Sequence, residues 1–95
     1  MKNTMTRPRL CRRLHFKPKS HYFKPQGIPM TELEEVILTK EEMEAVKLKD
    51  FDGIEQTEAS EKMNTSQSTF QRILASARIK IAEAVVKGKA LRIEE

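Results

Sequence analysis

The sequence predicts a mainly α fold, a single domain built on a helix-turn-helix and preceded by a proline-containing, partly extended basic N-terminal arm. Three observations predict it. Phe70, Ile73, Leu74, Ala77, Ile81, Ala84 and Val85 recur at steps of three and four, so they share one side of a 3.6-residue helix. Just upstream, Ala59 and Met63 stand four apart, and Asn64 follows where a tight turn between helices needs one residue at positive φ. Nearer the N-terminus, Pro18, Pro25, Pro29 and Gly27 rule out a regular helix between residues 17 and 30.

In chain order, residues 1–30 form the arm and residues 31–95 the helix-turn-helix domain. Arg7, Arg9, Arg12 and Arg13 crowd around Leu10, Leu14 and Phe16, and Leu10–Phe16 is read as extended. Tyr22, Phe23 and Ile28 are apolar anchors that dock the arm over the helical core. Thr31–Glu35 is read as one helical turn, with Thr31 and Glu34 spaced as a capping box. Val36–Leu38 is read as a short strand whose partner is Leu10–Phe16. Thr39 is an N-cap, and Glu42 three residues later completes a capping box. That helix runs to about Asp50 with Met43, Val46 and Leu48 inward, and Asp52-Gly53 marks a turn. A shorter helix covers about Gln56 to Met63, with Ser60 small where two helices cross. Ser66 caps the long helix from Gln67 to Lys87, about 30 Å at ~1.5 Å per residue. Gly88 ends it, free to adopt the left-handed conformation.

Ninety-five residues allow one domain and a modest core. Four Phe, one Tyr and no Trp leave little material for a deep small-molecule pocket. The net charge is +4, but its distribution is polar. Residues 1–31 hold eight Lys/Arg and no acid; residues 32–61 hold eleven acids and three bases; residues 62–92 hold seven bases and one acid, Glu83. Two basic blocks flanking an acidic one suit a polyanionic partner. One cysteine, Cys11, excludes an intramolecular disulfide and fits a reducing cytoplasm, the expected location. No run of 18 apolar residues predicts a membrane span, and the basic N-terminus lacks the apolar stretch of a secretory signal.

No catalytic constellation is legible, and no enzymatic activity is expected. Asp and Glu are read as lying on the solvent faces of acidic helices, His15 and His21 have no acid nearby, and Ser66 and Ser68 have no partner base. Cys11, His15 and His21 are one ligand short of a structural zinc site, so neither a metal nor a cofactor is expected. The long helix offers a different chemistry. Ser68, Gln71, Arg72 and Ala75 lie opposite the Phe70/Leu74/Ala77 stripe, and Gln67 is in the exposed first turn. Gln can bond adenine, Arg guanine, and Ala can touch a thymine methyl. These five are the expected base-reading residues of a double-stranded DNA partner. Arg12, Arg13, Lys62, Ser66, Arg78 and Lys80 are the expected phosphate contacts.

Farther along the same helix, Ala75, Ile79, Ala82 and Val86 make a second apolar stripe opposite the core. Either the Tyr22/Phe23 segment folds over it in a monomer, or a homodimer forms through the Ile79/Val86 face; the arm is the expected cover.

Residues 38–85 resemble region 4 of bacterial RNA polymerase sigma factors: LTKEEMEAVKLKDFDG and EASEKMNTSQSTFQRI match in order and spacing. Ser60, Asn64 and Thr65 depart from the usual Ala, Gly and Val. A second resemblance covers almost the whole chain, through RPRLCRRLHF, YFKPQGIP, LEEVILTKEEMEAVKLKDFDG, STFQRILASAR and GKALRI. It is similar to the domain of unknown function 134 (UPF0251) family, small prokaryotic proteins described as predicted DNA-binding proteins. That resemblance implies the same fold and a role in transcriptional regulation. The alternative expectation is a protein-interaction module contacting RNA polymerase or another regulator; a third is a structured-RNA binder.

Overall fold

The computed structural model describes residues 13–95. The chain is helix-rich and carries a small three-stranded sheet. In order come β1 (Tyr22–Phe23), a 3-10 turn (Met30–Glu32), β2 (Glu35–Leu38), α1 (Lys40–Val46), a wider π-type turn (Lys47–Phe51), α2 (Gln56–Lys62), α3 (Gln67–Lys87) and β3 (Ala90–Ile93). The sheet order is β1-β3-β2, with β1 antiparallel and β2 parallel to β3. No helix among the described residues is long and apolar enough to cross a membrane.

The helix ends follow the local rules read from sequence. Thr39 caps α1: the Glu42 N–H donates to Thr39 Oγ1 at 3.1 Å, and the Thr39 N–H donates to Glu42 Oε1 at 2.9 Å. Ser66 caps α3, accepting from the Thr69 N–H at 3.1 Å. Gly88 closes α3 at φ 66°, and the Lys89 N–H donates to the Ala84 carbonyl. Asn64 is at φ 56°, the one non-glycine residue with positive φ among those described. Around it the Asn64 N–H donates to Glu61 O and the Thr65 N–H to Ser60 O, both at 3.0 Å. Those are the two bonds of a Schellman closure, which satisfies the last carbonyls of α2 and turns the chain within four residues into Ser66.

The core is two apolar clusters joined through Val46. One gathers Ala45, Leu48, Ala59, Met63, Phe70 and Leu74; the other gathers Leu38, Ala77 and Ile93, with Met43, Ile81 and Leu91 against it. Phe70 is fully buried, which contributes about 2–3 kcal/mol. Ser60 is buried between α2 and α3, its hydroxyl donating to Thr57 O at 2.8 Å.

Five expectations are corrected. The strand near Val36 exists, but its partner is Ala90–Ile93 at the far end of the chain. Residues 13–16 form no strand, and residues 10–12 of the expected partner lie outside the described residues. Tyr22 and Phe23 pair with Arg92 and Leu91 instead of covering the Ile79/Val86 stripe, and remain about half exposed. The turn before β2 is a 3-10 turn opened by Pro29, without the Thr31/Glu34 capping box. Val85 is 77% exposed: by helical phase it sits at the edge of the stripe whose centre, Phe70, Leu74, Ala77 and Ala84, is buried. Finally, Glu42 and Glu44 of α1 are buried, not on a solvent face.

Glu42 is therefore both a cap and a cross-link. Its Oε1 accepts from Thr39 N–H and from Lys80 Nζ at 2.8 Å, and its Oε2 accepts from the Ser76 hydroxyl. Burial pushes its carboxyl up, and the bonds from Lys80, Ser76 and Thr39, with the Lys80 charge, more than reverse that and hold it below its ordinary 4.5. A carboxyl depressed in the folded state adds stability above its unfolded value and loses it as pH falls through the folded one.

Two outcomes are expected. In urea melts, Glu42→Gln loses about 1–2 kcal/mol at neutral pH and shows a flatter decline of stability below about pH 4.5 than the parent. Asn64→Val is less stable than Asn64→Gly by about 1 kcal/mol or more, because a β-branched side chain is strained at φ 56° and glycine is not.

Candidate nucleic-acid interface

α2, the Asn64 turn and the first two turns of α3 hold the expected reading residues. α2 is fixed by Ala59, Ser60 and Met63 beneath it, and Gln56 Nε2 reaches the Gln67 carbonyl at 3.4 Å, tying the two helix starts together. Phe70 and Leu74 point inward from α3. By helical phase this leaves Gln67, Ser68, Gln71, Arg72 and Ala75 on the outside, and all five are exposed.

The expected phosphate contacts divide. Lys62 is exposed at the end of α2. Arg13 is brought to the same place by its backbone, its N–H donating to Met63 O at 3.3 Å at the turn. Neither they nor Arg72 form an ion pair among the described residues. Ser66 stands at the start of α3, with its hydroxyl engaged by Thr69 and Ser68. Arg12 lies outside the described residues, as does Cys11.

Arg78 and Lys80 have other partners. Arg78 forks onto Asp50, Nε to Oδ2 at 3.0 Å and Nη2 to Oδ1, and that hydrogen-bonded pairing holds the Asp50 carboxyl below its ordinary range. Lys80 is directed to Glu42 and to the Ile37 carbonyl at 2.8 Å, so it secures α3 to α1 and β2. Their contacts are internal: each pairs with an acid of the middle block. The same holds elsewhere in that block, where Lys47 pairs Asp52, Lys89 bridges Glu34 and Glu83, and Arg92 pairs Glu35. Part of the acidic block thus supports the fold, while Arg13 and Lys62, which form no ion pair among the described residues, lie beside the α2–α3 turn.

Sequence reasoning missed the residues that aim the basic segment. Glu44 is buried, and its Oε1 accepts the Phe16 N–H at 2.8 Å; Lys47 Nζ stands 5.7 Å from the Phe16 ring centre. Together with the Arg13–Met63 bond, these hold residues 13–16 along α1 and beside the turn. The available signal was the adjacency of Glu44 to Ala45 and Leu48 on the inward side of α1, which marks a carboxylate in need of a partner.

The family model described as "Protein of unknown function DUF134" matches residues 1–95. A UPF0251 protein of Dehalococcoides mccartyi is 58% identical over 90 residues, covering 95% of this chain and 77% of its own length. UPF0251 proteins of Moorella thermoacetica and Desulforudis audaxviator are 53% and 54% identical over 90 residues, again across 95% of this chain. The chain spans about 60% of the length of these last two relatives. No solved structure matches. With identity of this level running from the basic segment through the C-terminal strand, the chain belongs to the DUF134 family of UPF0251 proteins.

Proposed function

We propose that α2, the Asn64 turn and α3 form a helix-turn-helix resembling sigma region 4, and that the protein binds double-stranded DNA through the start of α3 as a transcriptional regulator. One observation carries the reading. The buried contacts and the Schellman turn fix α3 so that Gln67, Ser68, Gln71 and Arg72 stand together on its exposed first turns, with Lys62 and Arg13, which form no ion pair among the described residues, beside them. An exposed helix start with hydrogen-bonding side chains enters a major groove, and flanking cations neutralise phosphates. The phosphate set is narrowed accordingly to Arg13, Lys62 and the N-terminal arginines. Arg78 and Lys80 act within the fold.

Selection of binding sites from random duplex DNA at fixed salt tests this directly. Enrichment of one motif supports it. Absence of enrichment, with capture of RNA polymerase or a structured RNA instead, points to the protein-interaction or RNA-binding alternative.

Fluorescence anisotropy on the selected and a scrambled duplex then separates reading from positioning. Arg72→Ala is expected to cost about 1–3 kcal/mol on the selected site and to flatten discrimination at one or two base pairs. Arg13→Ala and Lys62→Ala are expected to weaken both duplexes alike, each lowering the salt slope by about one. Equal losses on both duplexes for Arg72→Ala would remove α3 from the reading role.

A further inference from the structure

The exposed apolar side of α3 has no cover among the described residues. Ile79 is 68% and Val86 80% exposed, and Ala75 and Ala82 are exposed with them. The segment expected to cover this stripe, Tyr22–Phe23, is hydrogen-bonded to β3 instead. The stripe has a pattern: steps of four, three and four, with a β-branched residue and alanine alternating. That is the spacing of a heptad seam, with Ile79 and Val86 at one core position and Ala75 and Ala82 at the other.

We infer that a second copy of this chain occupies the stripe, its α3 packed antiparallel to the first. The pattern is self-complementary in that orientation. About a centre between Lys80 and Ile81, Ile79 meets the partner's Ala82 and Val86 meets the partner's Ala75, so each large side chain faces a small one. A parallel pair would oppose large to large and leave alanine against alanine. One patch serving both subunits is the isologous contact of a two-fold dimer. Ala75 then belongs to the seam rather than to the reading set.

The pairing stands on the stripe alone and does not rest on the DNA-binding reading.

Sedimentation of the 95-residue chain without DNA tests the pairing. The expected result is a reversible dimer with Kd on the order of 10 µM. Ile79→Glu with Val86→Glu should return the chain to monomer with unchanged circular dichroism, since both side chains are exposed. A parent that stays monomeric at about 1 mM, a hundred times that Kd, overturns the proposal. So does a double variant that still dimerises.

Cysteines test the orientation on a Cys11→Ser background. Ala75→Cys mixed with Val86→Cys should give a disulfide-linked pair, and neither alone should. In the antiparallel pair two copies of position 86 are separated by about 16 Å along the axis, beyond the ~7 Å that a disulfide spans. Cross-linking of Val86→Cys with itself overturns the orientation. A dimer that binds no DNA overturns the proposed function and leaves the pairing standing.

Discussion

Glu42 lies where α1, α3 and the sheet meet, and the domain's geometry depends on what it holds. One carboxylate closes the α1 cap, accepts the Ser76 hydroxyl, and receives Lys80, whose ammonium also reaches the β2 backbone at Ile37. Each oxygen is satisfied, which is the condition for a charged group to be tolerated at such burial. The arrangement fixes α3 in rotation as well as position, because Ser76 and Lys80 lie one turn apart on that helix. Rotation of α3 decides which residues of its first turns stand outside.

The second constraint is the partition of charge. Lys47, Arg78, Lys80, Lys89 and Arg92 are matched to acids of the middle block, and the last of these pairs helps hold β3 beside β2. Exposed pairs of this kind contribute little individually to stability. Their larger effect is on the surface potential: they remove alternating charge from the body of the domain. Arg13, Lys62 and Arg72, which form no ion pair among the described residues, stand around the α2–α3 turn, with Glu58 and Glu61 of α2 close by in the chain. The basic segment is held there by its own backbone N–H groups, Arg13 to the Met63 carbonyl and Phe16 to the buried Glu44 carboxylate, so its placement does not use the charges of its own side chains.

α3 carries two distinct surfaces along one side, polar at its first two turns and apolar from Ala75 onward. A helix of 21 residues is long enough to use both at once. In a 95-residue chain with a divided core, the two surfaces sit on one rigid element, with no hinge between them.

The sequence by itself determined what depends on neighbours within about four residues. The caps at Thr39 and Ser66, the left-handed closures at Asn64 and Gly88, the extent of α3 and the inward set Ala59, Met63, Phe70, Leu74 and Ala77 were all legible. Each is governed by helical period or by the conformational freedom of one residue. The exposed start of α3 was legible for the same reason. Only the tertiary structure decided the partner of Val36–Leu38, the strand at Ala90–Ile93, the burial of Glu42 and Glu44, and the pairing of Arg78 with Asp50 and of Lys80 with Glu42. Strands of two to four residues carry too little pattern to specify a partner. Their pairing is selected by the cluster of Leu38, Ala77 and Ile93, residues far apart in the chain. A charged side chain likewise has no partner written beside it. Which acid Arg78 meets is set by how α1 and α3 cross, and that crossing follows from packing of the whole core.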